Sequence, residues 1–167
     1  FLGSDAKKGV NHIAIAAADP EGAAKESGVA IAGDASKGID GKTQIALERD
    51  ATCGIRVRYT EALRLPTASS NIVQRIDHLG VASADNQAAR DVFIDKLGCV
   101  YESQQTDSEV ETVSENFTSD TYKQIFHTRP SKLIGSMRVT FITVGDTEFE
   151  FIQDLTANVE ADEARHD

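Results

Sequence analysis

One short pattern occurs twice in this chain. Asn11-His12-Ile13-Ala14-Ile15-Ala16 has the same build as Asp77-His78-Leu79-Gly80-Val81-Ala82, and the two histidines stand 66 positions apart. Each copy reads as a short strand with one histidine at its start. An Asp-containing turn follows each, then an Ala-rich helical stretch and a glycine-led step into another strand. One strand–helix–strand unit cannot bury its sheet face alone, so two copies imply two units that pack together. With 167 residues the chain is long enough for one domain with a proper core, or for two joined half-domains.

The first unit spans 1–63. After a polar lead-in, 10–17 reads as a strand. Asp19-Pro20-Glu21 starts a short helix, with Asp as cap, Pro in the first turn and Glu at the positive end of the dipole. That helix ends at Ser27-Gly28. Val29 to Ala32 reads as a strand, 33–41 as a glycine-bearing loop, and Thr43 to Leu47 and Gly54 to Tyr59 as two strands joined by the polar stretch 48–53. The order is β-α-β-β-β. Residues 64–71, with Pro66 and small polar neighbours, read as a linker.

The second unit spans 72–155. The strand carrying His78 is followed by a helix whose apolar positions Ala89, Val92, Phe93 and Leu97 recur at helical spacing. Gly98 stops it. Cys99-Val100-Tyr101 begins a strand, and Met137 to Val144 and Glu148 to Ile152 form the last two around a tight Gly145-Asp146 turn. The insert 103–136 is long for a hairpin connection and reads as a lid-like loop. Residues 156–167 form an acidic tail. The fold class is α+β: two paired βαβββ units forming a curved, cleft-bearing mixed sheet with helices outside.

The formal net charge is −10, which argues against a nucleic-acid or anionic-membrane partner. No apolar run approaches the roughly 20 residues that cross a bilayer. No signal peptide is evident, and two cysteines make no disulfide framework, so a cytoplasmic location is expected. Cys53 and Cys99 read as packing residues.

In Thr147-Glu148-Phe149-Glu150-Phe151-Ile152, alternation puts the two glutamates on one face and the two phenylalanines on the other. The glutamates face either solvent or the concave side of the sheet. In the second case Glu150 meets His78, and His12 arrives from the other unit. Two histidines and a carboxylate suit Zn²⁺, Fe²⁺, Mn²⁺, Co²⁺ or Ni²⁺ and leave positions open for water and substrate. Tyr122 and His127, in the insert, are candidates to close over a substrate.

The paired βαβββ pattern resembles the vicinal oxygen chelate superfamily, which includes glyoxalase I, methylmalonyl-CoA epimerase, extradiol dioxygenases and bleomycin-resistance proteins. The likeness is strongest in Ile76 to Ala82, Phe93 to Gly98 and Val144 to Phe151, which look most like the first half of an epimerase-type module. The resemblance implies that His78 and Glu150 are metal ligands and that His12 is the histidine opening a second half. The halves stand in inverted order, which suggests a permuted domain or a junction within a tandem protein. Arg58 stands where the family's second carboxylate ligand falls, and a guanidinium binds anions rather than cations. The strand Arg138-Val139-Thr140-Phe141 has no match for the epimerase's catalytic carboxylate.

Three functions follow as expectations. The first is a metal-dependent isomerase, epimerase or lyase acting on a small oxygenated or CoA- or thiol-linked substrate, with Glu150 catalytic and Arg58, Tyr122 and His127 binding substrate. The second is a non-catalytic small-molecule-binding protein of the same architecture. The third is an incomplete part of a larger dioxygenase-like protein. Units of this kind close either within one chain or in a homodimer.

Overall fold

The structure is a computed structural model that describes residues 10–64, 72–121 and 123–156. Tyr122, the linker residues 65–71 and most of the acidic tail lie outside the described residues.

The first unit runs β1 (Ile13–Ala16), α1 (Pro20–Glu26), β2 (Ser36–Lys37), β3 (Thr43–Ala46) and β4 (Val57–Thr60). Its sheet has the order β1-β4-β3-β2, with β1 and β4 parallel and the other neighbours antiparallel. Helix α1 starts as its residues dictate. Asp19 accepts from the Gly22 amide at 3.0 Å and Pro20 occupies the first turn, where its missing N–H costs nothing. Val29 to Ala32 does not form a strand. A single bridge, Ile31 to Leu47, is all that links this stretch to the sheet, and the edge strand is instead Ser36–Lys37. Gly28 and Gly33, both at positive φ, bracket the stretch and leave too few residues for a ladder. The polar stretch 48–53 contains a 3₁₀ turn, Arg49–Thr52.

The second unit runs β5 (His78–Ser83), α2 (Asn86–Arg90) continued by a π-helical turn (Asp91–Lys96), then β6 (Val100–Glu111), β7 (Ser114–Ser119), β8 (Lys123–Thr128), β9 (Lys132–Val144) and β10 (Thr147–Asp154). Its sheet has the order β5-β10-β9-β6, which repeats the first sheet's connectivity; β7 and β8 pair separately. The insert is therefore not a loop. It is the long outward run of β6 and β9 with a hairpin at its end. In the π-helical turn the Leu97 amide bonds the Val92 carbonyl at 2.9 Å, five residues back. Gly98 then leaves the helix at φ +72°, and the Cys99 amide closes the end on Phe93 O at 2.9 Å.

The two units are thus α+β with two βαβββ patterns, each keeping its own four-stranded sheet. One apolar cluster joins them. Ala24, Val29, Ile45, Leu47, Val57 and Tyr59 from the first unit meet Ala89, Val92, Phe93, Ile142, Phe149 and Phe151 from the second. Phe93 is fully buried between the other two rings, 5.0 Å from Phe151 and 5.7 Å from Phe149 between centroids. Each sheet gives one face to this shared core. By strand alternation, the residues between the core positions lie on the opposite face.

Candidate functional site

On the second sheet the face away from the shared core carries His78, Gly80 and Ala82 of β5 and Glu148, Glu150 and Ile152 of β10. The register is parallel: Glu148 stands beside His78, Glu150 beside Gly80 and Ile152 beside Ala82. His78 Nε2 lies 3.8 Å from Glu150 Oε2, and its Nδ1 lies 3.5 Å from Asp77 Oδ2. The alternation read from Thr147 to Ile152 therefore holds, and Glu150 meets His78. The ring is half-exposed, so the pair is within reach of a ligand.

Beside this pair a cleft of about 890 Å³ runs along the same face. Gly80, Ala82, Met137 and Ile152 supply an apolar floor, and Asp107, Glu109 and Asp154 supply acidic walls. The volume falls within the range of roughly 300–1,000 Å³ that small-molecule sites occupy. The glycine and alanine on β5 matter here, since larger side chains would fill the floor.

One further acid, Glu102, reaches this face. A bulge between Tyr101 and Ser103 leaves Glu102 out of the ladder, and its carboxyl hydrogen-bonds Glu148. That bond first, then desolvation and the neighbouring charge, hold Glu102 above the usual carboxylate range, because only its protonated form can donate to the other carboxylate. Glu102 was missed in the sequence, where nothing marks the bulge. A carboxyl with a raised folded pKa stabilises at low pH and loses that contribution as pH rises. We expect Glu102→Gln to gain on wild type in thermal melts between about pH 4 and pH 7, the span across which an ordinary carboxylate ionises. An equal difference at both ends would contradict the raised value of Glu102.

His12 is not in this group. It precedes β1 on the first sheet's other face, and burial, then the charges of Arg58 and Arg56, push its imidazole below the ordinary value. Arg58 donates from Nη1 to Gln44 Oε1 at 3.1 Å on the same sheet. His12 and Arg58 thus stand together on the first sheet, and among the described residues His12 does not join His78 and Glu150 in a group that could hold a metal ion. His127 lies on the β7–β8 hairpin, 3.7 Å from Glu115 Oε2. Tyr122 falls outside the described residues. Cys99 packs against the core, and its burial raises the thiol to about 11, whereas Cys53 is exposed.

Among the described residues no three His, Cys, Asp or Glu side chains converge to hold a metal ion. His78 and Glu150 have the right chemistry for Zn²⁺ or Fe²⁺, but two donors do not complete a three-ligand set. Among the described residues, this one chain brings together two of the three donors that such an ion needs.

Several solved structures are similar to this chain, two of them as follows. The glyoxylase/bleomycin resistance protein/dioxygenase domain from Frankia sp. EAN1pec is 11% identical with a TM-score of 0.42, over 89% of this chain and 99% of that one. The glyoxalase family protein from Enterococcus faecalis is 13% identical with a TM-score of 0.36, over 86% and 97%. No protein-family model and no curated protein matches the chain. No helix among the described residues is long and apolar enough to cross a membrane.

Proposed function

We propose that this protein is a small-molecule-binding protein of the glyoxalase type, with its ligand seated along the outward face of the second sheet. The observation that carries this reading is the cleft beside His78 and Glu150. It has an apolar floor for the body of a ligand, and Glu150 stands in register beside the Gly80 of that floor, with His78 3.8 Å from its carboxylate, where the pair could fix an oxygen or nitrogen. The acidic walls favour a neutral or cationic molecule. They disfavour a CoA-linked one, whose phosphates would meet Asp107, Glu109 and Asp154.

The rival reading is a metal-dependent isomerase or lyase with His12, His78 and Glu150 as ligands and Glu150 catalytic. The approach of His78 to Glu150 favours it, and the position of His12 counts against it.

Metal analysis of the purified protein, wild type beside His78→Ala, separates the two. On the binding reading neither form carries stoichiometric metal. A fragment library screened by amide-shift NMR then finds ligands that perturb Gly80, Ala82 and Ile152, and His78→Ala weakens them by roughly tenfold, the loss of one good hydrogen bond. One ion per chain in wild type, lost in His78→Ala, would overturn it in favour of the metalloenzyme.

A further inference from the structure

The outward face of the second sheet changes character along its length. Read across the strands, Ser103, Phe141, Glu150 and Gly80 stand abreast. Gln105, Val139, Ile152 and Ala82 form the next row, then Asp107, Met137 and Asp154, then Glu109 and Gly135. Glu148, beside His78, lies one row before Glu150. The face is therefore acidic at Glu148 and Glu150, apolar through the middle, and acidic again at Asp107, Glu109 and Asp154. No lysine or arginine stands in these rows, and among the described residues none forms an ion pair with these carboxylates.

The far end is open and charged. The Thr156 hydroxyl and amide donate to Asp154 and hold its carboxyl below the ordinary value. A side chain on Gly135 would come within 3.7 Å of Glu109 Oε2 and 3.9 Å of Thr156 Oγ1, so this glycine leaves free the space between them. Asp107 Oδ2 accepts from Gln105 Nε2 at 3.3 Å. At the near end Glu150 faces the His78 ring at 3.8 Å. Glu150 and Asp154 are four positions apart on β10, or about 13 Å at the usual strand rise of about 3.3 Å per residue.

We propose that this cleft takes an elongated dication, with an ammonium group at each acidic end and an unbroken aliphatic chain over Ala82, Ile152 and Met137. The inference rests on the reading of this cleft as a ligand site, and adds the class of the ligand. An ammonium group carries three donors and the charge that each end lacks. A monocation neutralises one end and leaves the other bare, and an anion is repelled at both. A charged nitrogen midway along the chain would lose its water against Ile152 and Ala82, whose side chains return no hydrogen bond. The chain must also span the gap, which excludes short diamines.

Calorimetric titration of the full chain tests this with decamethylenediamine, decylamine and tetramethylenediamine. The first has both ammonium groups on a chain of matching length, the second has one, and the third has both on a chain too short. The long diamine is expected to bind with one molecule per chain, roughly tenfold tighter than either of the others, and to weaken as salt rises. Its amide shifts should fall on Gly80, Ala82, Met137 and Ile152. Glu109→Gln with Asp154→Asn, both isosteric and on the open face, should erase the difference between the long diamine and decylamine. A long diamine that binds no tighter than decylamine or not at all, a variant that keeps the preference, or shifts confined to another face would each overturn the dication. The cleft as a ligand site fails separately, when no member of the fragment library perturbs Gly80, Ala82 and Ile152.

Discussion

Phe93→Ala is expected to cost about 3–5 kcal/mol of folding stability, the range for emptying a fully buried aromatic site. Phe93 is the largest side chain with no exposed surface, and both its ring partners sit on β10. Phe149 meets it edge-on at an interplanar angle of 89°, and Phe151 is tilted at 56°. Such contacts add roughly 0.5–1.5 kcal/mol beyond the area buried. The backbone around Phe93 cannot move in to fill the void. Its carbonyl is fixed by the Cys99 amide at the helix end, and the π-helical turn is held by the Leu97 bond to Val92. For a chain of this length the loss corresponds to a melting point lower by roughly 10 °C. Because the same cluster joins the two units, urea unfolding should remain a single transition in wild type and shift as a whole in the variant. A loss below about 1 kcal/mol, the typical effect of an ordinary substitution, would mean that this cluster does not bind the units together.

The parts of the fold that were legible from sequence are those set by nearby residues. Asp19-Pro20 fixes a helix start because the cap and the ring act within one turn. Glu148 to Ile152 fixes a strand with two unlike faces because alternation is a property of the strand alone. Gly145-Asp146 closes a hairpin where Gly145 takes φ +65°. What was not legible depends on distant partners. Val100 to Glu111 is exposed along its whole length, and only β9, far along the chain, makes it a strand. In the same way Val29 to Ala32 has apolar residues suited to a strand but no ladder to join. At the site, the common face of Glu148 and Glu150 could be read directly. The 3.8 Å approach of Glu150 to His78 needed the parallel register of β5 and β10, which no local pattern encodes. His12 was grouped with His78 because the strand pattern repeats. Repetition fixes what each unit looks like, and the shared core decides which way each unit faces.

That orientation rests on Asn86 as much as on the phenylalanines, and its removal is the second large effect. Asn86 has no exposed surface, and its Nδ2 donates to the carbonyls of Phe151 at 2.9 Å and Arg138 at 3.1 Å, and to Thr140 Oγ1 at 3.1 Å. Its own amide donates to Gln153 Oε1 at 3.0 Å. One side chain thus ties the start of α2 to β9 and β10. Asn86→Ala removes the donor and leaves buried acceptors unpaired, at about 3 kcal/mol. Asn86→Asp keeps the volume but turns an oxygen toward those acceptors, so at neutral pH it should be worse than alanine. A carboxyl there has its folded pKa raised by burial and by facing acceptors, since only its protonated form can donate. Its protonated form is favoured in the fold, so its deficit against wild type narrows as pH falls and widens as pH rises through that pKa. Urea titrations of both variants at neutral pH and near pH 4, about the free aspartate value, give the measurement. If Asn86→Asp tracks Asn86→Ala at both pH values, the side chain is filling space and α2 is anchored by its apolar face alone.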